Sequence, residues 1–285
     1  MNVEFINDAY TNDGLRLPMI HFESNKKDIC VIFIHGMCQT ILDNYFATVC
    51  GELLSKNNIG FLYEHNRGHS IENDILMKDG SYERCGCMYE IFEDCILDIN
   101  LAIEKAKELG YKRYILMGHS YGCNKLIYYY YKKHPNILGL VLASAPDMIG
   151  LQLLRQSDYK KLINEANDNI DKGNPTKILS NLIENYMYMS SQTYYNWFKK
   201  DSNLDNLPVM HNSDNWFQFE SIDVPILTFS GSEETENYLH LDLLRDKAKN
   251  CNNFKYKIIN QTNHFYVGKE KEVSFLVLEW INNFR

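Results

Sequence analysis

Gly118-His119-Ser120-Tyr121-Gly122 is the stretch on which the fold reading turns. It fits the pattern G-x-S-x-G, a bend between a strand and a helix that can present its serine as a nucleophile. The central residue of such a bend sits in a sparsely populated backbone conformation, and a side chain at either glycine would crowd it. The pattern alone arises by chance, so its setting has to decide. Before it, Tyr114-Ile115-Leu116-Met117 is a short apolar run that suits a buried strand. After it, residues 124–134 can run as a helix, with Lys132 and Lys133 in the last turn and Pro135 just beyond. Ser120 therefore falls at a strand-to-helix junction.

The bulk numbers narrow the class. A chain of 285 residues holds one large domain with an insertion, or two modest ones. Its 45% hydrophobic and 23% charged content are ordinary for a globular protein with a sizeable core. A net charge of −8 argues against nucleic acid, whose binding rests on neutralising phosphates with Lys and Arg. The first eight residues lack the basic start and apolar core of a signal peptide, and no stretch has the length to cross a bilayer. The eight cysteines then read as free thiols in a reducing, cytoplasmic compartment. Cys85-Gly86-Cys87 is the one close pair, and its spacing does not suit a zinc knuckle. Neither a metal nor a cofactor is expected.

Outward from the motif, strands and helices alternate. Two short extended segments open the chain around a turn signal at Asn12-Asp13-Gly14. Residues 29–34 are almost wholly apolar, as a strand buried on both faces should be, and residues 59–63 are similar. A helix is expected over 45–56. From Glu90 to Leu109 a 3.6-residue apolar face runs through Ile91, Cys95, Ile99, Ala102 and Ala106, closed by Gly110. The run 140–143 follows. Further on come strands at 224–229 and 254–259, a helix near 238–249 and a last helix from about Lys269. Such alternation predicts an α/β fold with a mostly parallel sheet and helices on both faces. Between 147 and 222 it breaks into helical, polar and aromatic stretches. The expected organisation is a core of 1–146 and 223–285, with 147–222 as a helical lid over the carboxyl edge of the sheet.

A serine hydroxyl needs an imidazole as base, itself held by a carboxylate. His264 lies in the loop between the last strand and the last helix, whereas His240 falls inside an expected helix. The acid should leave the carboxyl end of strand 224–229, where Gly231-Ser232-Glu233-Glu234 offers two neighbours. A position three residues beyond Gly231 favours Glu234 over Glu233. Asp147 is a further candidate, though a helix N-cap explains it better. An oxyanion hole needs two backbone N–H groups; Tyr121 supplies one and Met37, after Gly36, the other. His35 reads as a hydrogen-bonding scaffold residue at the pocket, and Cys38 as a pocket-wall thiol.

Together, His35-Gly36, the 118–122 turn, Gly231 with Glu234, and His264 resemble the α/β-hydrolase superfamily. More narrowly, Asn66-Arg67-Gly68-His69, residues 89–95, residues 118–125 and Ala145-Pro146-Asp147-Met148 resemble the DUF1749 group, related to fungal siderophore esterases. That resemblance implies a serine hydrolase with the triad Ser120, Glu234 and His264. The acid in such relatives is usually Asp, and the Glu here shifts the geometry by one methylene.

The lid segment carries Tyr186-Met187-Tyr188-Met189, Tyr194-Tyr195-Asn196-Trp197-Phe198 and Trp216-Phe217-Gln218-Phe219. Most of these aromatics should pack lid on core. As a group they suggest an apolar pocket, with Tyr188, Trp197 and Phe265 as candidate walls. The expectation is a hydrolase of a small carboxylic ester or thioester, working through an acyl-enzyme on Ser120. An acyltransferase or amidase of the same fold, or a non-catalytic binding homologue, is the alternative.

Overall fold

The computed structural model describes residues 2–211, 213–234, 236 and 240–285. Its core is an eight-stranded sheet. The strands are β1 (Val3–Ile6), β2 (Met19–Phe22), β3 (Ile29–Ile34), β4 (Gly60–Glu64), β7 (Arg113–His119), β8 (Gly139–Ala143), β9 (Ile226–Gly231) and β10 (Phe254–Ile259). They lie in the order β1-β2-β4-β3-β7-β8-β9-β10. From β4 to β10 every pairing is parallel, and only β1 and β2 run against their neighbours. The remaining two strands, β5 (Asn73–Leu76) and β6 (Tyr82–Cys85), form a separate antiparallel hairpin.

Strand periodicity builds two apolar layers from the same segments. In β3, Cys30, Ile32 and Ile34 point into one core while Ile29, Val31 and Phe33 point into the other. In β7, Leu116 joins the first and Ile115 and Met117 the second. Helices α1 (Tyr45–Lys56) and α9 (Glu270–Ile281) cover the second layer through Phe46, Cys50, Val273 and Val277. Helices α2 (Cys95–Glu108), α3 (Tyr121–Lys133) and α8 (Leu241–Lys247) cover the first through Ile99, Leu126, Ile127 and Leu244. This is an α/β fold with both faces of a mostly parallel sheet clothed in helices.

Several boundaries differ from the sequence reading for identifiable reasons. Strand β7 runs on through Gly118 and His119 because both still pair with Leu142 and Ala143 of β8. The periodic stretch starting at Glu90 opens instead with Ile91 extended, then a 3-10 turn at Phe92–Asp94 that leads into α2. Helix α8 is shorter than expected, and its anticipated start at Tyr238 lies outside the described residues.

Between β8 and β9 lie α4 (Met148–Arg155), α5 (Tyr159–Asp171), α6 (Ser191–Phe198) and the single turn α7 (Phe217–Glu220). No strand of the main sheet occurs there among the described residues. Among those residues no helix is long and apolar enough to cross a membrane.

Candidate active site

Ser120 stands at the point where β7 stops and α3 begins, with φ 54° and ψ −131°. A non-glycine residue in that region is strained by of order 1–3 kcal/mol, so its surroundings must over-determine it. Its N–H donates to the carbonyl of Ala143 (2.9 Å), and its own carbonyl accepts from Cys123 N (2.8 Å). The turn also needs the space that glycine leaves. A Cβ on Gly122 would run into the carbonyl oxygen of Ile34 at the end of β3. A Cβ on Gly36 would sit 2.9 Å from the Cβ of Ser120 itself. The two loops that flank the serine are therefore closely apposed.

The turn after β9 carries Glu234, and the loop after β10 carries His264. Their side chains meet: Nδ1 of His264 lies 2.5 Å from Oε2 of Glu234. The other carboxylate oxygen, Oε1, accepts from Ser144 Oγ (2.7 Å) and from the N–H of Gly231 (2.7 Å). Tyr266 OH lies 2.5 Å from Ser144 Oγ, so with Ser144 donating to the carboxylate, Tyr266 donates to Ser144. Burial would push the Glu234 carboxyl up, but the hydrogen bond and charge of His264, with the bonds from Ser144 and Gly231, outweigh it and hold the group at about 2. Glu234 is ionised at neutral pH and His264 is oriented through Nδ1, which leaves Nε2 for other work.

Behind this pair sits His119, fully buried, with Nε2 donating to the carbonyl oxygen of His264 (2.8 Å). Burial, with the nearby His264, lowers its pKa to about 3, so it is neutral. Gln39 lies on its other side and ties the loop after β3: its Oε1 accepts from Gly36 N (2.9 Å) and Asn44 Nδ2 (3.0 Å). The sequence reading passed over Ser144, Tyr266, Gln39 and His119 as parts of the site. His119 stands inside the 118–122 turn and Ser144 directly follows the apolar run 140–143, but neither position by itself points to a role.

A cleft of about 390 Å³ opens over these residues, walled by Met37, Ser120, Tyr121, Glu234 and His264, with Met148, Leu151 and Arg155 from α4 opposite. The other expected residues fall in different places. Glu233 is exposed on the cleft wall. Asp147 caps α4 by accepting from Gly150 N (2.7 Å) and also takes His211 Nδ1 (2.8 Å). His35 is buried beneath the loop, where its ring accepts from Asn66 N (3.1 Å) and reaches the Gly36 carbonyl (2.8 Å). Cys38 is turned to Met187 Sδ (3.3 Å) rather than to the cleft. Tyr188 is 44% exposed and walls neither cavity at the site. Phe265 is a partly exposed neighbour of the His264 and His119 rings. Trp197 lines a second, apolar cavity that shares Met37, Met148 and Glu184 with the cleft. Among the described residues there is no group of three or more His, Cys, Asp or Glu placed to hold a metal ion.

Sheet order, the strained serine turn and the positions of acid and histidine on later strand ends define the class as the α/β-hydrolase fold. A family model described as a protein of unknown function (DUF1749) matches residues 95–273, and the chain belongs to that family. No curated protein matches the sequence. Solved structures of the same fold include ferulic acid-bound Est1E from Butyrivibrio proteoclasticus, with a TM-score of 0.66, 16% identity and 97% of each chain covered. The α/β hydrolase GrgF from Penicillium sp. sh18 has a TM-score of 0.69 at 14% identity, covering 100% of this chain and 98% of that one. A soluble variant of monoglyceride lipase from Saccharomyces cerevisiae, in complex with a substrate analogue, has a TM-score of 0.64 at 13% identity, covering 98% and 94%. At these identities the likeness is one of fold.

Proposed function

We propose that the protein is a serine hydrolase of a small carboxylic ester or thioester, with Ser120 as nucleophile, His264 as general base and acid, and Glu234 as the orienting carboxylate. The observation that carries this reading is the direct bond from His264 to an ionised, buried Glu234 on the wall of the same cleft that holds the strained Ser120. Nε2 of His264 takes the Ser120 proton as the hydroxyl attacks the carbonyl. The developing oxyanion is held by two backbone N–H groups, from Tyr121 and Met37. Tyr121 N is the first amide of α3 and has no acceptor within the helix, so it is available for that charge. His264 then returns the proton to the leaving alcohol or thiol, and water admitted through the cleft releases the acyl group from Ser120. Residues 147–222 act as the cap over this chemistry, with α4 forming the far wall. The chemistry requires no cofactor.

A fluorophosphonate probe tests the reading directly. Wild-type protein should be labelled covalently and stoichiometrically at Ser120, and Ser120→Ala should not be labelled. Folded wild-type protein that resists the probe would exclude a working serine.

A further inference from the structure

Ser144, just past the end of β8, and Tyr266, in the loop that carries His264, are both fully buried, and both have positive φ, 51° and 56°. A left-handed backbone is unfavourable for any residue with a Cβ, and a bulky tyrosine there is an outlier. Both conformations are held from several sides. Ser144 N–H donates to the carbonyl of Phe229 (2.8 Å), and Tyr266 N–H to that of Asn263 (3.0 Å). The Tyr266 ring packs against Phe46, Phe229 and His119, with centroids at 5.0, 5.3 and 6.1 Å. Strain of this kind persists where the surroundings over-determine it, and it clusters at active sites. Here the two strained residues meet at their hydroxyls, 2.5 Å apart, and Ser144 extends the contact to Glu234.

The protons of this chain run in one direction. An ionised carboxylate accepts and cannot donate, so the single Ser144 proton goes to Oε1 of Glu234 (2.7 Å). The Tyr266 proton then goes to Ser144. Burial and the nearby Glu234 charge push the Tyr266 phenol well above its ordinary pKa, so it keeps that proton. Gly231 N–H is a second donor to Oε1. Restraining that oxygen restrains the plane of the carboxylate, and with it the place where Oε2 meets Nδ1 of His264. Ser144 follows β8, the acid follows β9 and the histidine follows β10, so the two hydroxyls join three strand ends. Resting on the assignment of Ser120, His264 and Glu234 as the triad, we propose that Ser144 and Tyr266 are positioning residues of the reaction. Their hydroxyls form a directed chain that locks the Glu234 carboxylate, and through it the His264 imidazole, in the orientation that serves Ser120.

Ser144→Ala, Ser144→Gly and Tyr266→Phe test this on a p-nitrophenyl ester, with fluorophosphonate labelling of each protein in parallel. Ser144→Ala should lower kcat by about 10- to 100-fold, the range one hydrogen bond to an ionised group supplies, with little change in KM. Tyr266→Phe keeps the ring and leaves Ser144 bonded to Glu234, so its loss should be smaller, about 3- to 10-fold. Because Tyr266 acts through Ser144, the double variant Ser144→Ala/Tyr266→Phe should be no slower than Ser144→Ala. In both Ser144 variants the Tyr266 hydroxyl can still donate to the Phe229 carbonyl, 3.3 Å away. Ser144→Gly separates catalysis from folding. Glycine suits a positive φ, so this variant should unfold at higher urea than Ser144→Ala and yet lose as much kcat. A kcat loss below the stated range in Ser144→Ala, activity that returns with stability in Ser144→Gly, or losses that multiply in the double variant overturns the proposal. Labelling of the wild type separates the two levels. If Ser120 is labelled, any of these results removes the positioning role alone, whereas an unlabelled wild type removes the triad and this role with it.

Discussion

At the scale of the residue, the member of the site that most needs a structural account is Glu234, which is one methylene longer than an aspartate. The extra length is absorbed by a fixed turn. Glu234 N–H donates to Gly231 O (3.1 Å), and Glu233 N–H donates to Thr262 O (3.1 Å), tying the acid turn to the histidine loop. Each carboxylate oxygen then has its own partners, Oε2 with His264 and Oε1 with Ser144 and Gly231. Glu234→Gln should keep the fold but lower kcat by about 10³- to 10⁴-fold with little change in KM, because an amide permits the wrong imidazole tautomer. Steady-state kinetics on a p-nitrophenyl ester reads this, and a loss under tenfold would remove Glu234 from the triad. The same carboxylate has a stability signature. Its folded-state value, about 2, lies below its ordinary 4.5. Its contribution is therefore complete above pH 4.5 and is lost as the pH falls through 2, and is on the order of 3 kcal/mol. Urea unfolding at pH 6 and pH 3 should show a steeper acid loss in wild type than in Glu234→Gln.

At the scale of the element, the segment between β8 and β9 is fastened by charge as well as by packing. His211 donates from Nδ1 to Asp147 (2.8 Å), the N-cap of α4, and its Nε2 lies 3.2 Å from the Asp205 carboxylate. A carboxylate stands at each ring nitrogen, an arrangement that favours the protonated ring. Burial opposes this, but the bonds and charges of Asp147 and Asp205 prevail and raise its pKa to about 9. The sign is opposite to that of Glu234. The stabilisation is complete below pH 6.5 and disappears as the pH rises through 9. Proteolysis of residues 200–216 should accelerate between pH 7 and pH 9.5, and His211→Gln should flatten that dependence at the faster rate. Elements of the core were readable because burial on both faces leaves continuous apolar runs such as 29–34 and 140–143. The β5–β6 hairpin was not, since Asn73-Asp74 and Tyr82-Glu83-Arg84 are largely solvent-exposed and carry no apolar pattern. Ser120 and His264 showed in the sequence through motif and order. Ser144 and Gln39 did not, because they lie at least 90 residues in sequence from both Glu234 and His264 and only folding brings them to the site, while Tyr266, two residues after His264, acts through Ser144, a contact no local pattern announces.

At the scale of the whole molecule, the helix that follows Ser120 rests on a buried ionic network that ties α3 to α2, the loop after β4 and the amino-terminal segment. Lys125 of α3 is fully buried, with Nζ 2.5 Å from Glu90 Oε1 and 3.1 Å from Asn66 Oδ1, above the face of the Tyr121 ring at 4.6 Å. Arg67, one residue after Asn66, binds Asp98 of α2 (2.9 Å) and Asp13 near the amino terminus (3.0 Å). Burial and the neighbouring Asp98 push the Glu64 carboxyl at the end of β4 well above its ordinary range, against the opposing charges of Lys125 and Arg67. Desolvating two charges costs nearly as much as their attraction returns, so the Lys125–Glu90 pair adds little net stability, while either member alone is expensive to keep. Lys125→Met should therefore lose about 3–5 kcal/mol in urea unfolding, and Glu90→Gln a comparable amount, by stranding a buried charge. The double variant Lys125→Met/Glu90→Gln should recover at least half of the summed loss, a coupling that the double-mutant cycle of these three variants isolates. Additive losses would mean that the two side chains act independently. Recovery of stability without recovery of fluorophosphonate labelling would show instead that the network's role is to set the position of α3, and with it the Tyr121 amide and the strained Ser120, rather than to hold the fold together.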